Sequence, residues 1–119
     1  MSEAQLQGAI TELAEWCDFR WFHDVDSRKN KSGFPDLVLV HNRTGRTIFV
    51  ELKSATGTLR PEQGPWLQAL GLRNETYLWR PKDWDSGLIR RTLLAERTAP
   101  AAPRATASPG PSPARGSLR

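Results

Sequence analysis

At 119 residues the chain has room for one core and about one functional site, and its 38% hydrophobic and 25% charged content is that of a soluble globular protein rather than a disordered or fibrous one. No apolar run approaches the roughly 20 residues that a membrane helix needs, the N-terminus lacks a basic segment followed by an apolar stretch, and a single Cys17 forms neither an intramolecular disulfide nor a zinc site alone, so the expected compartment is the cytoplasm. A net charge of +4 and a pI near 9.8 suggest a polyanionic partner, yet residues 98–119 hold Arg104, Arg115 and Arg119 and no acid, which leaves only +1 on the rest of the chain.

The first predicted element is an amphipathic helix. Ser2-Glu3-Ala4-Gln5 has the form of a capping box, and Leu6, Ile10, Leu13 and Cys17 follow at spacings of four, three and four. From Arg20 to Val25 the chain turns aromatic and roughly alternating, which predicts a first strand ending in the polar loop Asp26–Ser32. Leu37–Val40 and Thr47–Val50 are short β-prone runs joined by His41-Asn42-Arg43-Thr44-Gly45-Arg46, so a hairpin is predicted, and their near-continuous apolar character predicts burial on both faces. Pro61-Glu62-Gln63 opens a second helix through Trp66, Leu67 and Leu70 that Gly71 closes. Glu75–Trp79 reads as a fourth strand, and Pro81-Lys82-Asp83 leads one short last helix carrying Trp84, Leu88, Ile89 and Leu93. The expectation is an α/β domain over residues 1–97, with a mixed sheet of about four strands flanked by helices in the order α-β-β-β-α-β-α. Residues 98–119, rich in Pro, Ala and Ser, are expected to form a disordered basic tail, either a solvated extension or an electrostatic tether to phosphates. The five tryptophans stand at apolar positions, and most are expected in the core rather than on a base-stacking surface.

Chemistry is expected where the hairpin ends. Asp36 precedes one strand and Glu51 closes the next, so the hairpin brings these two carboxylates to one edge of the sheet, where oxygen ligands of this kind suit Mg²⁺ or Mn²⁺. Glu51 and Lys53 are two apart on a strand and leave the same face, which sets an ammonium beside the acidic pair. The carbonyl of Leu52 is a further candidate ligand. Charges at the end of an apolar strand require a partner, whereas Pro-Asp as a turn pair and Glu-x-Lys as a solvated strand face are the alternatives. Glu3 shares the stripe of Leu6 and Ile10 and is read either as an inward-pointing ligand or as a complement to the helix dipole. Gln63, in the first turn of the second helix, is read as a contact to phosphate or water, or as an exposed polar residue. His23, Ser27, Arg28, Lys29, Lys31 and Arg60 form a candidate nucleic-acid rim that a merely soluble loop would match equally.

Taken together these residues resemble the PD-(D/E)xK nuclease superfamily, and within it the VRR-NUC family of small, often phage-encoded nucleases. The resemblance rests on Ser2-Glu3 and Gln5, His23, Asp26-Ser27-Arg28, Gly33-Phe34-Pro35-Asp36-Leu37, Val50-Glu51-Leu52-Lys53, Leu59-x-Pro61-x-Gln63-x-x-Trp66-Leu67 and Trp79-Arg80-Pro81-x-Asp83-Trp84. It implies a restriction-endonuclease-like fold, Mg²⁺ or Mn²⁺ as cofactor, and endonucleolytic cleavage of DNA, in some members at branched, flapped or junction structures. It also implies metal-binding roles for Glu3, Asp36, Glu51 and the Leu52 carbonyl, with Lys53 as the catalytic lysine and Gln63 as the helix glutamine. A homodimer presenting two sites to DNA fits a stand-alone member of this size. Two alternatives carry other expectations: a catalytically silent nucleic-acid-binding module of the same fold, free to lose the acidic pair, and a purely structural protein that binds no metal.

Overall fold

The computed structural model describes residues 1–23 and 33–96. Helix α1, Glu3–Trp16, starts at the expected cap: Ser2 Oγ accepts the Gln5 N–H at 3.1 Å, and the Ser2 N–H donates to Gln5 Oε1 at 2.8 Å. Its buried stripe is Leu6, Ile10, Thr11 and Ala14, whereas Leu13 and Cys17 are only half-buried. The helix ends at Cys17, and Asp18 turns the chain with a φ of 69°, a left-handed conformation that Asp tolerates. There the Asn42 side-chain amide donates to the Asp18 carbonyl at 3.0 Å and to Oδ1 at 2.9 Å, so the helix end is tied to the hairpin turn.

Strands β1 (Phe19–His23), β2 (Leu37–His41), β3 (Thr47–Leu52) and β4 (Glu75–Trp79) form one sheet in that order. The first three are antiparallel neighbours, and β4 returns parallel to β3 through helix α2, Gln63–Gly71. The first strand starts one residue earlier than expected; Asp24 and Val25 lie outside the described residues. The second helix starts at Gln63 because Pro61 and Glu62 form the preceding turn. The expected single last helix is two, α3 (Pro81–Asp85) and α4 (Leu88–Leu94), broken where Gly87 takes a φ of 83° that no right-handed helix admits.

The register divides the sheet into two unequal faces. Leu37 and Leu39 pair with Val50 and Ile48, and Leu52 with Trp79; all are fully buried with Leu6, Ile10, Ile89 and Leu93 in one core beneath α1 and α4. Val38, Val40 and Phe49 leave the other face and are only half-buried, which corrects the expectation of strands buried on both sides. Phe34 fills part of that second layer, edge-on to Phe49 at 5.9 Å and to Trp66 of α2 at 5.0 Å. Of the tryptophans, Trp79 is buried and Trp84 half-buried, while Trp16, Trp21 and Trp66 are exposed, contrary to the sequence expectation. Trp16 stands outside the buried stripe of α1, and Trp21 lies on edge strand β1, its indole N–H donating to Glu15 Oε2 at 2.9 Å. No described helix is long and apolar enough to cross a membrane. Residues 97–119, including the predicted tail, lie outside the described residues.

Candidate active site

The hairpin register sets the site. Leu37 opposes Val50, so Asp36 and Glu51, one step further along, meet on the sheet face that α2 covers. The Asp36 carboxylate is anchored there, Oδ2 accepting the Leu52 backbone N–H at 3.0 Å. Gly33 makes the approach possible: its φ is 79°, and a Cβ on it would come within 2.5 Å of the Glu62 carbonyl oxygen. The segment Gly33–Asp36 thus lies directly against the entry to α2, which delivers Gln63 over the carboxylates.

Glu51 is 1% exposed. Its Oε2 accepts from Gln63 Nε2 at 2.7 Å and faces Lys53 Nζ at 3.6 Å. Its Oε1 is buried without a hydrogen-bond partner, a condition that only Trp79 Nε1 shares among the described residues. Burial, and then the neighbouring Asp36 carboxylate, push the Glu51 carboxyl up to about 8, against a smaller opposing pull from Lys53. Two carboxylates side by side, one with an orphaned buried oxygen, are costly for a protein alone and are what a hard cation relieves. The donor set therefore fits Mg²⁺ or Mn²⁺, which need only a few carboxylates and otherwise keep water.

The remaining expected residues are distributed unequally. Lys53 lies on the same face as Glu51, as its spacing requires, with its side chain 12% exposed. Gln63 is buried rather than exposed, and it holds Glu51 directly. Glu3 is exposed at the first position of α1, and no group of three or more His, Cys, Asp and Glu side chains assembles among the described residues, so Glu3 is not brought to the pair. The packed stripe of α1 begins only at Leu6. His23 pairs with Leu37 and so leaves the core-side face, opposite to Asp36. Arg60 is exposed and paired with Glu62 at 3.5 Å, and its backbone N–H donates to Gln63 Oε1 at 2.7 Å. Ser27, Arg28, Lys29 and Lys31 lie outside the described residues. Sequence reasoning missed the Gln63–Glu51 bond, because a contact between a helix start and a strand end leaves no periodic trace.

A mixed four-stranded sheet that gathers an acidic pair, a lysine and a glutamine at one end defines an α/β domain of the restriction-endonuclease-like class. The VRR-NUC domain model matches residues 2–77, and the chain belongs to this family of nuclease domains. The fold is similar to that of a solved structure described as a VRR_NUC domain, with a TM-score of 0.57 and 22% identity over 74% of this chain and 96% of that one. It is also similar to one described as a VRR_NUC domain protein, with a TM-score of 0.52 and 16% identity over 78% of this chain and 90% of that one. No curated protein matches the chain.

Proposed function

We propose that the protein is a Mg²⁺- or Mn²⁺-dependent endonuclease that hydrolyses DNA phosphodiester bonds. The observation that carries this reading is the orphaned, buried Glu51 Oε1 beside the Asp36 carboxylate. Asp36, Glu51 and the Leu52 carbonyl would hold the cation. When bound, such a cation polarises a phosphoryl oxygen and lowers the pKa of water.

The chain's own residues do the rest. Gln63 fixes Glu51 through Oε2, which leaves Oε1 to ligate. Lys53 Nζ, close to that same Oε2, has further N–H donors to offer a phosphate oxygen as charge builds on it during attack by water. Water's oxygen adds to phosphorus, the bond to the leaving sugar oxygen breaks, and a proton passes to that oxygen. Branched or flapped DNA as substrate, a homodimeric assembly and action in the cytoplasm are parts of the same proposal.

The test is a panel of labelled duplex, single-stranded, flapped and four-way DNA, incubated with Mn²⁺ or with EDTA. Cleavage should require Mn²⁺ and vanish in Asp36→Ala, whereas Lys53→Ala should lose cleavage while retaining calorimetric Mn²⁺ binding and its fold. Cleavage that survives EDTA, or survives Asp36→Ala, sinks the reading.

A further inference from the structure

Lys53 lies beside the end of β4. Arg80 follows that strand and caps α3: its backbone N–H donates to Asp83 Oδ2 at 2.8 Å, and the Asp83 N–H donates back to the Arg80 carbonyl at 2.8 Å. From this pinned backbone the side chain reaches to the segment that leaves Lys53. Its Nη1 donates to the carbonyls of Ser54 and Gly57, both at 2.7 Å.

Those two carbonyls bound a single turn, which Ser54 Oγ closes by accepting the Gly57 N–H at 3.0 Å. A Cβ on Gly57 would lie 3.1 Å from Ser54 Oγ and, at ordinary contact distance, 3.6 Å from Lys53 Cδ, so the turn runs beside the aliphatic stem of Lys53. The Lys53 backbone is fixed as well, its N–H donating to the Trp79 carbonyl at 3.1 Å. The turn borders the stem, and one guanidinium nitrogen holds the turn. Arginine suits the task because its two Nη1 hydrogens diverge in a fixed plane on a weakly hydrated cation, whereas a lysine ammonium has no such preset fork.

We propose that Arg80 is a positioning residue for Lys53: by clamping the Ser54–Gly57 turn it holds the ammonium at the carboxylate pair without touching substrate. This inference rests on the nuclease reading above for its kinetic consequence, but not for its structural one.

Arg80→Met keeps the stem and removes the donors. With Mn²⁺ and saturating labelled DNA, its cleavage rate should fall about 10- to 100-fold with KM changed less than about two-fold, since a misplacement near 1 Å costs up to about 10²-fold. Arg80→Lys should recover part of the loss. Timed at enzyme excess on the small residual cleavage of Lys53→Ala, Arg80→Met should bring no further loss in that background, because a residue that acts through Lys53 has nothing left to act on. A multiplicative loss in the double variant, or a loss confined to KM, overturns the proposal and makes Arg80 an independent contact to DNA.

Amide hydrogen exchange supplies a readout that needs no activity. Arg80→Met should accelerate exchange at Gly57 while β3 stays protected. Unchanged exchange there overturns the clamp even if the wild type cleaves DNA, and a wild type that cleaves nothing sinks the nuclease reading while leaving the exchange result standing. Should Arg80→Met fail to fold, Ser54→Ala takes away the hydroxyl that closes the turn while leaving Arg80 in place; it should show a KM-independent loss in the same direction, and full activity there also overturns the proposal.

Discussion

Gln63 and Glu51 are joined side chain to side chain: Gln63 Nε2 donates to Glu51 Oε2 at 2.7 Å while Gln63 Oε1 accepts the Arg60 N–H at 2.7 Å. Because one end of the amide faces an acceptor and the other a donor, its orientation is determined by its partners. Gln63 therefore acts on the carboxylate rather than as a free arm toward phosphate. Gln63→Glu replaces the donor with an acceptor against two existing carboxylates, and cleavage should fall by more than about 100-fold; Gln63→Ala, which removes the brace without adding charge, should lose about 10-fold, a typical step for an outer partner of a metal ligand. Single-turnover cleavage beside Mn²⁺ calorimetry separates the two, and equal activity for Gln63→Glu and wild type removes the brace from the mechanism.

The same carboxylate gives the metal-free protein a pH dependence of definite sign. Burial and Asp36 raise Glu51 from an ordinary 4.5 to about 8, so the folded state binds its proton more tightly than the unfolded chain does. That contribution is fully present below about pH 4.5 and is lost as pH rises through about 8. In EDTA, urea unfolding of the wild type should show stability declining between about pH 5 and 9, and Glu51→Gln should flatten the decline and raise stability at the alkaline end while abolishing cleavage. Parallel curves for the two proteins would dismiss Glu51 as the titrating group.

Gly33 links the strand entry to the helix entry. With φ at 79° and the Glu62 carbonyl 2.5 Å from where a Cβ would stand, alanine is disfavoured twice, by conformation and by backbone collision. Gly33→Ala should separate Asp36 from α2, cost about 2–4 kcal/mol in stability by the usual scale of left-handed strain plus overpacking, and slow cleavage of the folded fraction. Chemical denaturation and a rate normalised to folded protein measure both. A loss under about 0.5 kcal/mol would mean that the Gly33–Glu62 approach is easily relaxed.

How much of this was legible depends on whether a feature is written along the chain or across it. The hairpin was, because Leu37–Val40 and Thr47–Val50 are β-prone runs joined by a short polar turn, and a hairpin necessarily sets Asp36 against Glu51. The fourth strand came out at Glu75–Trp79 for the same local reason. Glu3 did not, since a 3.6-residue period gives a direction around the helix axis but says nothing of whether another element covers the first turn. The break at Gly87 was hidden by the apolar spacing of Trp84, Leu88 and Ile89, which imitates one continuous helix. The Gln63 brace and the Arg80 clamp are bonds between residues on separate elements, and such bonds depend on tertiary placement that local pattern does not encode.

At the opposite end of β3, Arg46 and Glu75 form a largely buried ion pair that no local sequence pattern announces. Arg46, 2% exposed, makes two bonds to Glu75, Nε to Oε2 at 2.6 Å and Nη2 to Oε1 at 2.8 Å, and a third from Nη1 to the Ala95 carbonyl at 3.0 Å. These fasten the entry of β3 to the entry of β4 and to the end of α4, and the Tyr77 hydroxyl adds a bond to Glu75 at 2.9 Å. Removing Arg46 leaves the Glu75 carboxylate largely out of water without that guanidinium beside it, so Arg46→Met should destabilise by about 2–4 kcal/mol. The double variant Arg46→Met with Glu75→Leu should recover most of that, because an apolar pair of similar volume carries no desolvation cost. Neither residue is near the carboxylates at the other end of the strand, so cleavage measured well below the melting transition should match wild type in the double variant. Urea denaturation of the single and double variants checks the first two claims, and an Arg46→Met cost under about 1 kcal/mol would show that water reaches the pair.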